Sequence, residues 1–390
     1  MTNGNHAWQI SYQRSVEYEI VKSFDLFDPE NESLLSLGKR DHTRRFVVVD
    51  DKVEKYYSTE IRDYFRYHEV EAKIVPFPGG EENKSIHGYL TILNELDSFP
   101  IHRRDEPIIA IGGGVLTDVV GFVAGSYRRG VPHIKVPTTL IGYIDAAVGI
   151  KTGINFNGSK NRLGSFEPPQ KVLLDKTFLK TLPKRHILNG VCEILKLAVI
   201  KDLFLFELLE SYGADCIAVK FQNEPGTAIL DRSIEKMLEE LQPNLFEENL
   251  ARRMDFGHTF CYGLETCQNS HLLHGEAVLI DIVLSIFLAR ARGFLSVKEL
   301  IRTQGLIAKL GVLGNHLHLD SKLVDPYTLW ESITERTYHR NGFQRIPLPN
   351  GIGDCVFIND LKLEEIQLAC HEMQEDWMGC RSQASYSIHD

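Results

Sequence analysis

What this 390-residue sequence lacks narrows its function before any motif is considered. It has no excess of positive charge: 43 Lys and Arg stand against 53 Asp and Glu, a formal net charge of −10. That balance excludes the broad basic field that nucleic acid or an anionic membrane selects, so any phosphate must be held by a local group of cations. No apolar run approaches the roughly 18 residues needed to span a bilayer. The opening MTNGNHAWQISYQRS has no apolar core of a secretion signal. Cysteine is sparse and scattered: Cys192, Cys216, Cys261, Cys267, Cys355, Cys370 and Cys380 form no CxxC pair and are odd in number. Free thiols in a reducing cytoplasm are expected rather than a disulfide framework. No internal repeat and no low-complexity segment is present.

The chain is long enough for two cores. Residues 1–174 alternate short apolar runs with helical patterns. RFVVVDD (45–51), EAKIVPF (71–77), PIIAIGGG (107–114) and HIKVPTT (133–139) are the strands. KSIHGYLTILNEL (84–96) and TDVVGFVAGSY (117–127) are helices between them. Such alternation predicts an α/β domain with a parallel sheet. From Asp175 to residue 375 long amphipathic segments take over, as in FLFELLESYG (204–213), ILDRSIEKMLEELQ (229–242) and AVLIDIVLSIFLARARGF (277–294), which predicts an all-α domain. GINFNGSKNRLGSFEPP (153–169) is expected to be a long functional loop between the two, and 376–390 a flexible polar tail.

Two patterns carry chemistry. Gly112-Gly113-Gly114 ends a buried strand and opens a helix, where backbone N–H groups meet a nucleotide phosphate without Cβ interference. Asp50, at another strand end, suits a ribose hydroxyl; a tight turn and a helix cap are the competing explanations. Glu193, His258 and His274 are the second pattern: one carboxylate and two imidazoles, the ligand set of a catalytic zinc. Glu193 and Lys196 are three apart and share a helix face. Gly257 and Gly275 give each histidine backbone clearance.

The motifs PGGEENKS (78–85), GGGVLTDVVGFVAGSYRRG (112–130), VPTTLIGYIDAAVGIKTGINFNGSKNRLG (136–164), TLPKRHILNGVCEILK (181–196), DFGHTF (255–260) and HGEAV (274–278) follow one another as in the dehydroquinate synthase superfamily, the sugar phosphate cyclases. The resemblance covers about residues 40–365. It implies a Rossmann-like NAD-binding domain, a helical metal-binding domain, an active site between them and a homodimer. By the same match Asp50, Glu81, Lys84, Gly113, Gly114, Asp118, Thr138, Thr139, Asp145, Lys151, Lys160, Thr181 and Leu182 contact NAD. Glu193, His258 and His274 hold Zn²⁺ or Co²⁺. Lys151, Asn161, Lys196 and Lys236 are the candidates for the leaving phosphate. Arg129 reaches the phosphate of the neighbouring subunit.

Departures from dehydroquinate synthases bear on the substrate. Ala251 replaces an arginine seven residues before His258, Tyr262 a histidine four residues after it, and Asp255 an asparagine three residues before it. Asp255 is expected to place negative charge where an acidic substrate would bind, and His339 stands in place of a lysine pattern. A polyol phosphate, sedoheptulose 7-phosphate, is the substrate this implies. Leu241, Asp255 and His339 resemble the set of cyclases that make 2-epi-5-epi-valiolone; Glu276 in HGEAV departs from the HGHAV of many of them. The alternatives are 2-epi-valiolone, a desmethyl-4-deoxygadusol product and, more remotely, a metal-dependent polyol dehydrogenase.

Overall fold

The computed structural model describes residues 7–13, 15–35, 44–266, 272–313 and 324–386. Its first half holds β1 (Glu19–Ser23), β2 (Arg45–Asp50), α1 (Asp51–Tyr67), β3 (Ala72–Phe77), α2 (Ile86–Asp97), β4 (Ile108–Gly112), α3 (Gly114–Ser126), β5 (His133–Pro137), β6 (Lys151–Phe156), β7 (Ser159–Phe166) and β8 (Lys171–Asp175). Six of these strands form one all-parallel sheet in the order β1-β8-β5-β4-β2-β3. The β2, β4 and β5 runs are buried on both faces, as continuous Val/Ile sequences require of a sheet covered by helices. The chain leaves β2 first toward β3 and then returns to β4 on its other side. The carboxyl ends of β2 and β4 therefore flank a topological switch point, where open parallel sheets bind ligands.

The second half is mostly helical: α4 (Lys184–Lys201), α5 (Leu203–Ala218), α6 (Glu224–Leu241), α7 (Cys261–Thr266), α8 (His274–Ala291), α9 (Val297–Leu310), α10 (Pro326–His339) and α11 (Leu363–Tyr386). From Asn189 to Ile200 in α4, and from Gly275 to Ala289 in α8, every residue is buried. A helix apolar on all sides has to sit at the centre of a bundle. Charged residues on such helices, Glu193 and Lys196 among them, are thereby carried into the interior.

Three expectations change. Residues 153–169 do not form an open loop: β6 and β7 make an antiparallel hairpin turned at Asn157-Gly158, both with positive φ (48° and 76°). Asn-Gly is the sequence of a tight hairpin turn, and it pairs a segment whose polarity suggests irregular chain. The helical half also contains a short ribbon, β9 (Ile346–Pro349) and β10 (Cys355–Ile358). Finally, α11 continues through 376–386, where a flexible tail is expected; Glu372 to Glu375 are mostly good helix formers and no proline interrupts the helix. Residues 387–390 lie outside the described residues. No described helix is long and apolar enough to cross a membrane.

Candidate active site

Helix α4 and the start of α8 meet at one close approach. The Gly275 N–H donates to Asn189 Oδ1 at 2.6 Å, and a Cβ on Gly275 would lie 2.0 Å from the Asn189 carbonyl oxygen. That contact sets the distance between Glu193, one turn beyond Asn189, and His274, the residue before the glycine. Gly275→Ala should cost about 3 kcal/mol, at the top of the range for overpacking, because the obstacle is backbone. Chemical denaturation checks it; a variant as stable as the parent would show that the helices meet elsewhere. Gly257, at φ 75°, is equally constrained, with Val278 Cγ1 2.9 Å from an added Cβ.

These constraints bring the three metal candidates together. Glu193 Oε1 lies 3.3 Å from His274 Nε2 and 3.8 Å from His258 Nε2, and the two imidazole Nε2 atoms are 3.2 Å apart. Three donor atoms within 4.8 Å of one another fit one divalent ion. The Glu193 side chain is 0% exposed, at an ion-pair distance of 2.5 Å from Lys196 Nζ. Burial opposes its charge, but Lys196 and the imidazoles hold its pKa well below the usual carboxylate range. Burial and the Lys196 charge push His258 down to about 3, which keeps its ring neutral and able to ligate, and its Nδ1 lies 3.2 Å from the Phe256 carbonyl.

Lys196 differs from its expected role. Its ammonium is 1% exposed and sits between Glu193 and Asp145 Oδ2, at 3.5 Å. It balances the buried Glu193 carboxylate, where phosphate binding is expected, and the two imidazoles are the other groups close to that carboxylate. Lys236 is likewise engaged, by Glu239 at 2.6 Å and Asp202 at 3.6 Å. The side chain of Lys151, a candidate for the leaving phosphate, is 65% exposed and pairs with Glu247 at 3.0 Å. Asn161 accepts from Lys84 Nζ at 2.5 Å, and the same ammonium meets Asp118 at 2.7 Å. Residues expected on separate parts of the cofactor and the phosphate thus form one cluster.

Asp255 is the sharpest correction. Its carboxylate accepts from Arg252 Nη2 and Arg340 Nη2, both at 2.6 Å, with Arg336 at 3.8 Å. The Asp255 charge is thus taken up by guanidinium groups of the protein itself, where a bare negative charge facing the substrate is expected. His339 is exposed on the last turn of α10, beside the two arginines that do reach the loop. Glu276 is engaged apart from the Glu193, His258 and His274 trio: it accepts the Leu273 N–H at 2.8 Å and pairs with Arg185 at 2.7 Å, closing the first turn of α8.

The nucleotide half presents a cradle at the switch point. Gly113 caps α3 in extended conformation. A Cβ on Gly113 would lie 3.1 Å from Thr139 Cγ2, and one on Gly114 3.0 Å from Ala146 Cβ. Glycine at both positions lets this strand-to-helix turn pack closely on Thr139 and Ala146, and a glycine turn at a helix N-terminus fits a dinucleotide phosphate. Asp50 caps α1 by accepting from Lys52 N at 2.9 Å, and its carboxylate fills the space beside Gly79. Glu81 accepts from Asn155 Nδ2 at 2.8 Å, tying the hairpin to the turn after β3. Thr138 is buried after β5, and the Thr181 hydroxyl lies 3.3 Å from that of Tyr57, with Leu182 next to it. Arg129 is exposed with φ 62° at the end of α3.

Several participants escaped the sequence reading. Glu265 on α7 contacts His274 Nδ1 at 2.9 Å and Lys160 Nζ at 3.0 Å. Glu247 joins Lys151 to Arg252. Asp281 on α8 accepts from the N–H groups of Phe260 (2.5 Å) and Cys261 (3.0 Å), fixing the start of α7 three residues after His258. Burial raises the Asp281 carboxyl to about 6. Only the HTFxxxxE spacing, with Glu265 seven residues after His258, offered a signal for any of these.

Comparison with known proteins agrees with this geometry. Residues 74–189 match the 3-dehydroquinate synthase N-terminal family and residues 190–328 the 3-dehydroquinate synthase C-terminal family. A 2-epi-5-epi-valiolone synthase of Streptomyces albus is 44% identical, covering 95% of this chain and 91% of its own. A demethyl-4-deoxygadusol synthase of Trichormus variabilis is 35% identical over 95% of this chain and 90% of its own. The solved 2-epi-5-epi-valiolone synthase of Streptomyces hygroscopicus subsp. jinggangensis, with NAD⁺ and Zn²⁺ bound, superposes with a TM-score of 0.89 at 40% identity, covering 95% of this chain and 100% of that one. With both family halves matched in order and such relatives aligned over nearly its full length, this chain belongs to the 3-dehydroquinate synthase family.

Proposed function

We propose that the protein is a sugar phosphate cyclase that converts sedoheptulose 7-phosphate to 2-epi-5-epi-valiolone with release of phosphate, a carbon–oxygen lyase using NAD and Zn²⁺ or Co²⁺. The reading is carried by a trio of metal ligands built against a dinucleotide cradle in a chain 44% identical to a synthase of that product. Identity to the gadusol-type enzyme is lower, at 35% over the same share of the chain. Ala251 and Tyr262, where a carboxylate-binding cyclase carries cations, suit a neutral polyol.

Bound NAD supplies a hydride acceptor that later returns the hydride, so no net redox accompanies the cyclisation. A divalent ion on Glu193, His258 and His274 supplies Lewis acidity for the alcohol to be oxidised. The rest falls to the protein's own groups. Lys196 keeps Glu193 ionised inside the bundle. Lys151 is an exposed cation able to exchange Glu247 for the leaving phosphate, and Asn161, whose Oδ1 is held by Lys84, has its amide N–H donors to offer the same anion. Lys160–Glu265 and Lys151–Glu247 tie the hairpin to the helical half on the metal side. We further assign the protein to the cytoplasm as a homodimer in which Arg129 serves the neighbouring subunit; its exposure at the end of α3 and the free thiols of Cys192, Cys216, Cys261, Cys355 and Cys370 support this.

Incubation with sedoheptulose 7-phosphate, NAD and Zn²⁺ or Co²⁺ tests the reading. Phosphate should appear with no accumulation of NADH, and NMR should identify the carbocycle as 2-epi-5-epi-valiolone. NADH accumulating without phosphate would replace the cyclase with a polyol dehydrogenase. Phosphate with a different carbocycle would overturn the product assignment alone.

A further inference from the structure

Glu265 stands where the two halves of the site meet. Its side chain is 7% exposed; Oε1 lies 2.9 Å from His274 Nδ1 and Oε2 3.0 Å from Lys160 Nζ. The other nitrogen of His274, Nε2, faces Glu193 and His258. Cys261 Sγ also approaches Nδ1, but at 4.0 Å, so the carboxylate is the acceptor that the ring proton meets.

We propose that Glu265 is a positioning residue through which the metal site and the β6–β7 hairpin set each other. A carboxylate accepting the Nδ1 proton fixes the tautomer that leaves Nε2 free for a metal, fixes the plane of the ring and raises its basicity. A buried carboxylate needs a counter-charge, and Lys160 supplies it from β7. Lys160 precedes Asn161, which is held by Lys84, which in turn holds Asp118 beside the glycine cradle. A dinucleotide settling in that cradle acts on the same hairpin that steadies Glu265. Metal and dinucleotide should therefore bind cooperatively, each raising the affinity of the other by the same factor. This step rests on the proposed reading that Asp118 and Lys160 line the cofactor groove.

The test measures Zn²⁺ affinity by competition with a chelator, with and without saturating NAD, and NAD affinity with and without Zn²⁺. The parent protein should gain several-fold in each direction. Glu265→Gln should weaken Zn²⁺ binding roughly 10- to 100-fold, the range for loss of a partner behind a metal ligand. Lys160→Met, which leaves all three ligands and Glu265 in place, should abolish the NAD-dependent gain, a readout that loss of packing alone would not move. The visible bands of the Co²⁺ form should change in Glu265→Gln as the ring of His274 is released. Unchanged Zn²⁺ affinity in Glu265→Gln, or a full NAD-dependent gain in Lys160→Met, overturns the proposal. A parent protein that binds no NAD overturns the functional reading instead, so the two failures are distinguishable.

Discussion

Replacing Glu193 by glutamine should remove bound metal and reduce turnover by at least about a thousandfold. The ligand oxygen remains, but its charge does not, and a neutral amide is a poor partner for a hard divalent ion. Lewis acidity contributes several kcal/mol to such reactions, and each 1.4 kcal/mol is a factor of ten. Stability separates this role from a packing role. Glu193→Ala strands the Lys196 ammonium in the bundle, with Asp145 at 3.5 Å as its remaining partner, and should cost about 3–5 kcal/mol. Glu193→Gln leaves an acceptor near the ammonium and should cost less while losing as much activity. Metal content by elemental analysis, turnover with sedoheptulose 7-phosphate and denaturant midpoints give the three readings. Retention of both metal and turnover in Glu193→Gln would remove Glu193 from the ligand set.

The trio of Glu193, His258 and His274 was legible through the order of the family motifs together with local context: Glu193 lies in a largely apolar helix and each histidine adjoins a glycine, although either histidine alone has an ordinary surface or core explanation. The parallel sheet was legible for a similar reason: Phe46–Val49 and Ile108–Ile111 are continuous apolar runs ending in turn residues. What escaped depends on partners distant in the chain. Glu265, Glu247 and Arg340 are ordinary charged residues by composition, and they acquire roles only where α7, the loop after α6 and α10 converge. The β6–β7 hairpin escaped because its polar residues hide the period of two, although Asn157-Gly158 states the turn. Strands β9 and β10 are only four residues each, too short for periodicity to separate them from the ends of helices. Local pattern specified the elements; the ion pairs between elements could only be seen in the assembled fold.

Asp255 shows how far charge read from sequence can mislead, and its replacement should give the largest structural effect outside the metal. It lies in the turn before Phe256, and the His258 N–H donates to its carbonyl at 3.0 Å. Its carboxylate is the anion shared by Arg252, Arg336 and Arg340, and the side chain of Arg340 is only 5% exposed. Asp255→Ala should therefore cost about 3–5 kcal/mol, because the buried guanidinium loses its counter-charge. Metal affinity should fall with it, since the loop presenting His258 loses its anchor to α10. The dependence on pH follows from the sign of the shift. Burial opposes ionisation, but the three arginines hold the Asp255 carboxyl below its ordinary value. Its stabilisation is then fully present above the unfolded pKa of about 3.9 and is lost as pH falls toward the depressed folded value. Parent and variant should differ by a constant amount from pH 5 to pH 8 and converge only in acid. Denaturation across that range, run beside substrate competition, decides between an anchor and a substrate contact. An Asp255→Ala protein as stable as the parent, with altered discrimination between sugar phosphates, would return Asp255 to the role its sequence position suggests.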